Sequence, residues 1–166
     1  ALLDHHDDPE VRQLALWARG RARHEQGRYA EALDDLHGAA QVAVARGDDR
    51  GAARVVANRA LTEYAMGDVT AALASLAAAE PVLQGVEAGH LHLQRGIVLV
   101  HAGELVPARA AFDQAHALLS EGGDEAAVAR CLASRGVAST YLADFDGAAR
   151  DLEAAADVAA ATDQRL

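Results

Sequence analysis

The chain has 166 residues and a formal net charge of -10; hydrophobic residues make up 51% of it and aromatics only 4%. All fifteen basic residues are Arg, and the acidic total excludes a general affinity for nucleic-acid phosphates, which requires clustered positive charge. No apolar run approaches the ~20 residues of a membrane span, and the start lacks the charged-then-apolar order of a signal peptide, so a soluble, cytoplasmic protein is expected.

Residues 1–9 are expected to form a flexible or truncated segment. Asp8-Pro9-Glu10 is a helix start signal, with Asp as N-cap and Pro in the first turn. The first helix is then predicted over about 10–26, followed by helices over about 29–46, 49–66 and 69–80, the last ended or kinked by Pro81. Four more follow over about 87–102, 106–120, 124–142 and 145–161, with Pro107 tolerated in a first turn. The apolar content is mainly Ala, Leu and Val, which favours closely spaced helices and an all-α class. The absence of a starting Met and the break-off over Thr162–Leu166 read as a piece of a longer protein. Cys131 stands alone, which rules out an internal disulfide and suits a reducing compartment.

One pattern recurs four times. "GRYAEAL" at Gly27 returns as "GDVTAAL" at Gly67, "GELVPAR" at Gly103 and "ADFDGAA" at Ala143, at steps of 40, 36 and 40 residues. Seven residues before each turn stand Gly20, Ala60, Gly96 and Gly136. After it come Tyr29, Val69, Leu105 and Phe145, then Ala32, Ala72, Ala108 and Ala148, then Leu36, Leu76, Phe112 and Leu152, then Ala39, Ala79, Ala115 and Ala155. Small residues let two helices approach closely while large ones fill the gaps between them.

This order resembles the tetratricopeptide repeat, in an extended form of roughly 40 residues against the usual ~34, with the family's Pro at the end of the second helix missing. The resemblance covers about residues 10–162 and implies an α-α superhelix of four helical hairpins, about eight helices, with repeats at about 10–48, 49–86, 87–123 and 124–162 in a solenoid over 10–166. Its Ala/Arg-rich texture is similar to bacterial arrays that accompany CHAT caspase-like domains or large multidomain regulators.

The resemblance also implies a concave groove built from the first helix of each repeat. Carried over by position, the groove would comprise Leu14, Trp17, Arg21 and His24; Arg54, Ala57, Leu61 and Tyr64; His90, Leu93, Ile97 and Val100; and Arg130, Ala133, Val137 and Thr140. Leu61, Ile97 and Val137 stand where one subset of the family has Asn for a carboxylate clamp. An apolar or amphipathic segment anchored on Trp17 and Tyr64 is therefore the expected ligand, with Arg21, Arg54 and Arg130 choosing among acidic flanks. A second regularity is an Arg before each small position: Arg19, Arg59, Arg95 and Arg135. The ~100° helical step places this ladder opposite the groove, where a structural role in repeat register is expected, with Asp48 or Asp49, Glu87, and Asp124 or Glu125 as partners.

No metal is expected. The cluster Asp4-His5-His6-Asp7-Asp8 precedes the first helix, His90 and His92 point to different faces, His101 and His116 lack an i, i+4 partner, and Cys131 has no neighbouring ligand. Phosphate loop, nucleophile elbow and His-Glu-x-x-His are absent, and the pairs Asp34-Asp35 and Asp48-Asp49 read as solvated or helix-start acids. The expectation is a cofactor-free, non-enzymatic scaffold that binds a protein or peptide. The alternatives are a regulatory sensor array of a larger protein and self-association through solenoid ends.

Overall fold

The computed structural model describes residues 8–163. Eight helices follow in order: α1 Pro9–Glu25, α2 Tyr29–Ala45, α3 Asp49–Ala65, α4 Val69–Ala79, α5 Gly85–His101, α6 Leu105–Glu121, α7 Glu125–Tyr141 and α8 Phe145–Asp163, with no strand among the described residues. The helices form two units, Ala1–Leu83 with α1–α4 and Gln84–Leu166 with α5–α8. In the first, α2 packs on α1 and α3, and α4 on α3; in the second, α6 packs on α5 and α7, and α8 on α7. Of the stretch Asp4-His5-His6-Asp7-Asp8, from which no metal site was expected, all but Asp8 lies outside the described residues.

Local chemistry sets the helix limits. Asp8, Asp48, Asp68 and Asp124 cap helix starts by accepting backbone N–H groups from Glu10, Gly51, Ala71 and Ala127. At the first helix end the Gly27 N–H reaches the His24 carbonyl and the Arg28 N–H the Arg23 carbonyl, each at 2.9 Å; the same pair of bonds follows α3, α5 and α7. This closure needs a left-handed residue, supplied by Gly27, Gly67 and Gly103 at φ of 73°, 84° and 78°. In the last repeat Ala143 takes that conformation at φ 60°. Pro81 stands just beyond α4, as its sequence position predicts.

The small position at mid-helix sets the hairpin spacing. A Cβ on Gly20 would lie 2.9 Å from Leu36 Cγ, and one on Gly136 3.0 Å from Leu152 Cγ. Around these contacts the first unit buries Leu36, Ala39 and Val55, flanked by Leu16, Trp17 and Ala40. The second buries Phe112, Ala115, Leu119, Cys131 and Ala138 in one cluster. Each large side chain sealed in this way contributes roughly 1.5–3 kcal/mol. Cys131 is fully buried, its Sγ–H donates to the Phe112 carbonyl at 3.3 Å, and burial pushes the thiol up to about 11.

Three members of the Arg ladder, Arg19, Arg59 and Arg135, grip their own hairpins, which corrects for them the expected pairing with acids that open the next one. Arg19 donates Nε and Nη2 to the Asp35 carboxylate at 2.9 and 2.6 Å, and Arg135 does the same to Asp151 at 2.8 and 2.6 Å. Arg59 donates Nη2 to Ser75 Oγ at 2.9 Å and pairs with Glu63 at 3.0 Å. Each of these three precedes the small residue of its helix, so its guanidinium reaches across the narrow seam to the residue sixteen on. At that place the Arg95 repeat has Ala111. Arg135 alone of these pairs also crosses hairpins, from Nη1 to Asp113 of α6 at 2.8 Å. Asp35, read as solvated, is only 4% exposed, and the bond from Arg19 chiefly holds its carboxyl below the ordinary range, with Arg23 adding to it.

Candidate functional site

The first helices of neighbouring hairpins meet within each unit: α1 with α3, and α5 with α7. Between α1 and α3 lies a cleft of about 450 Å³ whose apolar lining is Leu14, Trp17 and Val55. Leu14 is 58% exposed, a large apolar side chain held in water at the cleft mouth. Trp17, the single Trp of the chain, is half-buried, with the guanidinium carbons of Arg21 and Arg54 at 5.3 and 5.8 Å from its ring. A flat π face flanked by two cations is favourable to both groups. Among the described residues the buried indole Nε1–H has no hydrogen-bond partner, although a buried indole N–H ordinarily finds one.

A polar network forms one rim. Arg46, just past the end of α2, donates to Gln13 Oε1 at 2.7 Å and to Glu10 Oε2 at 3.0 Å, and Gln13 in turn donates to Asp48 Oδ2 at 3.3 Å. Arg50 and Arg54 also line the cleft, so that among the described residues its lining holds three guanidinium groups and two carboxylates. Asp48 is held below the ordinary carboxylate range, first by the Gly51 N–H and then by Gln13. The described lining of the cleft thus offers an apolar surface of Leu14, Trp17 and Val55 beside the guanidinium groups of Arg46, Arg50 and Arg54.

The structure brings together Leu14, Trp17 and Arg54 of the expected groove. Arg21, His24 and Leu61 line a smaller adjoining pocket of about 100 Å³, where His24 Nδ1 lies 3.1 Å from Thr62 Oγ1. Tyr64 is half-buried and lines neither, and Ala57 is buried. In the second unit Leu93 is withdrawn into the core at 5% exposure, packed with Phe112 and Leu132, which corrects its place in the groove. Ile97, Val100 and Ala133 are half-buried against the same core. His90 Nε2 meets Asp124 Oδ2 at 2.9 Å, Thr140 Oγ1 donates to the Gly136 carbonyl at 3.0 Å, and Arg130 and Val137 are exposed. Sequence reading missed Glu10, Gln13, Arg46 and Arg50; the first two and the last two are 33 to 40 residues apart along the chain and meet only in the fold.

Among the described residues no group of three or more His, Cys, Asp or Glu side chains could hold a metal ion, and no helix is long and apolar enough to cross a membrane. No protein-family model and no curated protein matches the sequence. Solved structures do resemble it. BtubC from P. vanneervenii superposes with a TM-score of 0.83 at 16% identity over 94% of this chain and 66% of its own. Aspartyl phosphate phosphatase F from Bacillus subtilis gives 0.77 at 13% identity over 93% and 42%. A Podosopora anserina protein, described as a kinesin light chain with nearly identical TPR-like repeats, gives 0.68 at 14% identity over 90% and 76%. The chain therefore spans just under two thirds of the first of these proteins and less than half of the second. At such identities the likeness establishes the fold, and the association with CHAT domains stays an expectation.

Proposed function

Taking the chain as a tetratricopeptide-like helical repeat by fold, we propose that it is a non-catalytic protein-interaction module whose α1–α3 cleft receives a partner segment carrying apolar and acidic side chains. The carrying observation is the cleft itself: Leu14 exposed, Trp17 with the guanidinium groups of Arg21 and Arg54 against its ring, and Arg46, Arg50 and Arg54 in the lining. An apolar side chain of the partner would cover Leu14 and the indole face. A neighbouring carboxylate would pair with Arg54 or Arg50, and a carbonyl would accept the indole N–H. Aromatic and Arg side chains are the types that anchor such contacts, and charge complementarity selects the flanks. Val137, exposed on α7, would add apolar contact within the second unit.

Selection from a displayed random-peptide library tests this reading, with the intact 166-residue chain as bait and a Leu14→Glu, Trp17→Ala variant of equal helicity as control. Peptides pairing an apolar residue with nearby acids should be enriched on the unaltered chain and lost on the variant. Equal enrichment on both would remove the cleft as the recognition surface. Enrichment of basic peptides would reverse the proposed charge selection. No enrichment on either would turn attention to a regulatory array acting within a longer chain.

A further inference from the structure

The smaller pocket, about 100 Å³, takes its polar lining from Arg21, His24 and Glu25 of α1 and from Asn58 and Thr62 of α3. Seating one hairpin on the next does not require these residue types. At the positions of Arg21, His24 and Thr62 the second unit has Ile97, Val100 and Ala138, and α5 meets α7 with them. The first unit thus holds polar side chains where the second makes the same junction with apolar ones.

Their hydrogen bonds decide which atoms are left for a ligand. Thr62 is 1% exposed, and among the described residues its hydroxyl has one partner, His24 Nδ1 at 3.1 Å. A buried O–H left undonated is costly, so Thr62 donates and the neutral imidazole carries its proton on Nε2. Asn58 gives Nδ2 to the Arg54 carbonyl at 2.8 Å, which leaves its Oδ1 as an acceptor. Arg21 has Glu25 one turn along the same helix, yet among the described residues it makes no ion pair, and its guanidinium carbon lies 5.3 Å from the centre of the Trp17 ring. The lining therefore holds two donors, Arg21 and His24 Nε2–H, and two acceptors, Asn58 Oδ1 and the Glu25 carboxylate.

Resting on the reading that a partner segment occupies the α1–α3 cleft, we propose that this pocket takes the side-chain carboxamide of a Gln or Asn in the same segment. The carboxamide oxygen accepts from Arg21 and His24 Nε2–H, and its NH₂ donates to Asn58 Oδ1 and Glu25. A carboxylate has no donor for those two acceptors and sets its charge against Glu25; an ammonium group meets Arg21 in the same way. Arg21 lies four residues beyond Trp17 and seven beyond Leu14 on α1, ~6–10 Å at ~1.5 Å per residue. An extended segment, at ~3.3 Å per residue, therefore carries the amide two or three residues from its apolar anchor.

Propionamide and its carboxylate counterpart propionate are the probes, titrated into the intact nitrogen-15-labelled chain to ~100 mM, a range suited to so small a ligand. Propionamide should shift the NMR signals of the Asn58 side-chain amide and the His24 ring nitrogens saturably, and propionate should not. An Arg21→Ile, His24→Val variant, which copies the second unit at these positions, should lose the Asn58 response with unchanged circular dichroism. No shift with propionamide, an equal or larger one with propionate, or an Asn58 response that survives in the variant would overturn the proposal. In a library-selected peptide that carries the amide, Gln→Glu should weaken binding about tenfold on the unaltered chain and leave it unchanged on Arg21→Ile, His24→Val. Peptides lost on Leu14→Glu, Trp17→Ala but lacking Gln or Asn at the stated spacing would leave the cleft reading standing and overturn the amide pocket. Peptides retained by that variant would overturn the cleft reading itself, and this proposal with it.

Discussion

Ala143→Gly should stabilise the protein, and its magnitude follows from one dihedral angle. Of the four equivalent turn residues, three are Gly and one is Ala, yet all adopt positive φ, with Ala143 at 60°. A left-handed L-residue costs about 1–2 kcal/mol. Exchange for Gly removes that strain but returns about 0.4–1 kcal/mol through the greater freedom of the unfolded chain. The net gain is roughly 0.5–1 kcal/mol, or a rise in Tm of about 1–4 °C for a chain of this size. Gly67→Ala is the mirror experiment. Nothing lies within 4 Å of a Cβ built there, so its effect should come from the backbone alone and run the other way by a similar amount. Differential scanning calorimetry of the two variants beside the unaltered chain is the assay. A lowered Tm for Ala143→Gly, or a raised one for Gly67→Ala, would refute the reasoning.

Asp35→Ala removes the acceptor that unites Arg19 and Arg23 at the first hairpin seam and should destabilise by about 1–3 kcal/mol in urea unfolding, less than a sealed ion pair because Arg19 can return to water. Glu31, Asp35, Asp48 and Asp144 all have carboxyl groups held below the ordinary range, mainly by hydrogen bonds from Arg28, Arg19, the Gly51 N–H and the Gly147 N–H respectively. Their stabilisation is present in full above the unfolded value near ~4 and is lost as pH falls through the lower folded values, so Tm should be flat from neutrality to about pH 5 and then fall. Asp35→Asn should flatten that fall in a pH series of thermal melts. Cys131, with its thiol raised to about 11 by burial, should resist a thiol-specific reagent at pH 8 until the chain is unfolded. Gly96→Leu drives a side chain into the Phe112 ring and should cost about 1–3 kcal/mol, read as a lower urea midpoint.

Much of the fold was legible because its punctuation is local. Asp at a cap and Gly in a left-handed turn act within a few residues, so the limits of the eight helices could be read from sequence to within about two positions. The small and large positions were legible because four copies repeat them. The Arg partners were not, because the relevant geometry lies between helices. Asp34 and Asp35 are adjacent in sequence, and only the ~100° step between them turns Asp35 into the seam while Asp34 stays in water. Leu93 was misplaced for the same reason: position along the repeat gives a face of the helix, but how far that face sinks into the core depends on the bulk opposite it, here Phe112. The cleft rim escaped because Arg46 belongs to an inter-hairpin segment, outside the four positions per helix that the family pattern supplies.

The most direct measurement of the central claim uses the single Trp of the chain, which lines the cleft. Trp17 emission should be followed while a library-selected peptide bearing an apolar residue beside acids is titrated at two salt concentrations. Recognition at the α1–α3 cleft predicts a saturable blue shift, weaker binding at higher salt as the Arg contacts are screened, and no response from Leu14→Glu. Peptide binding that leaves Trp17 emission unchanged, or that persists in Leu14→Glu, would place recognition elsewhere on the protein and contradict the account.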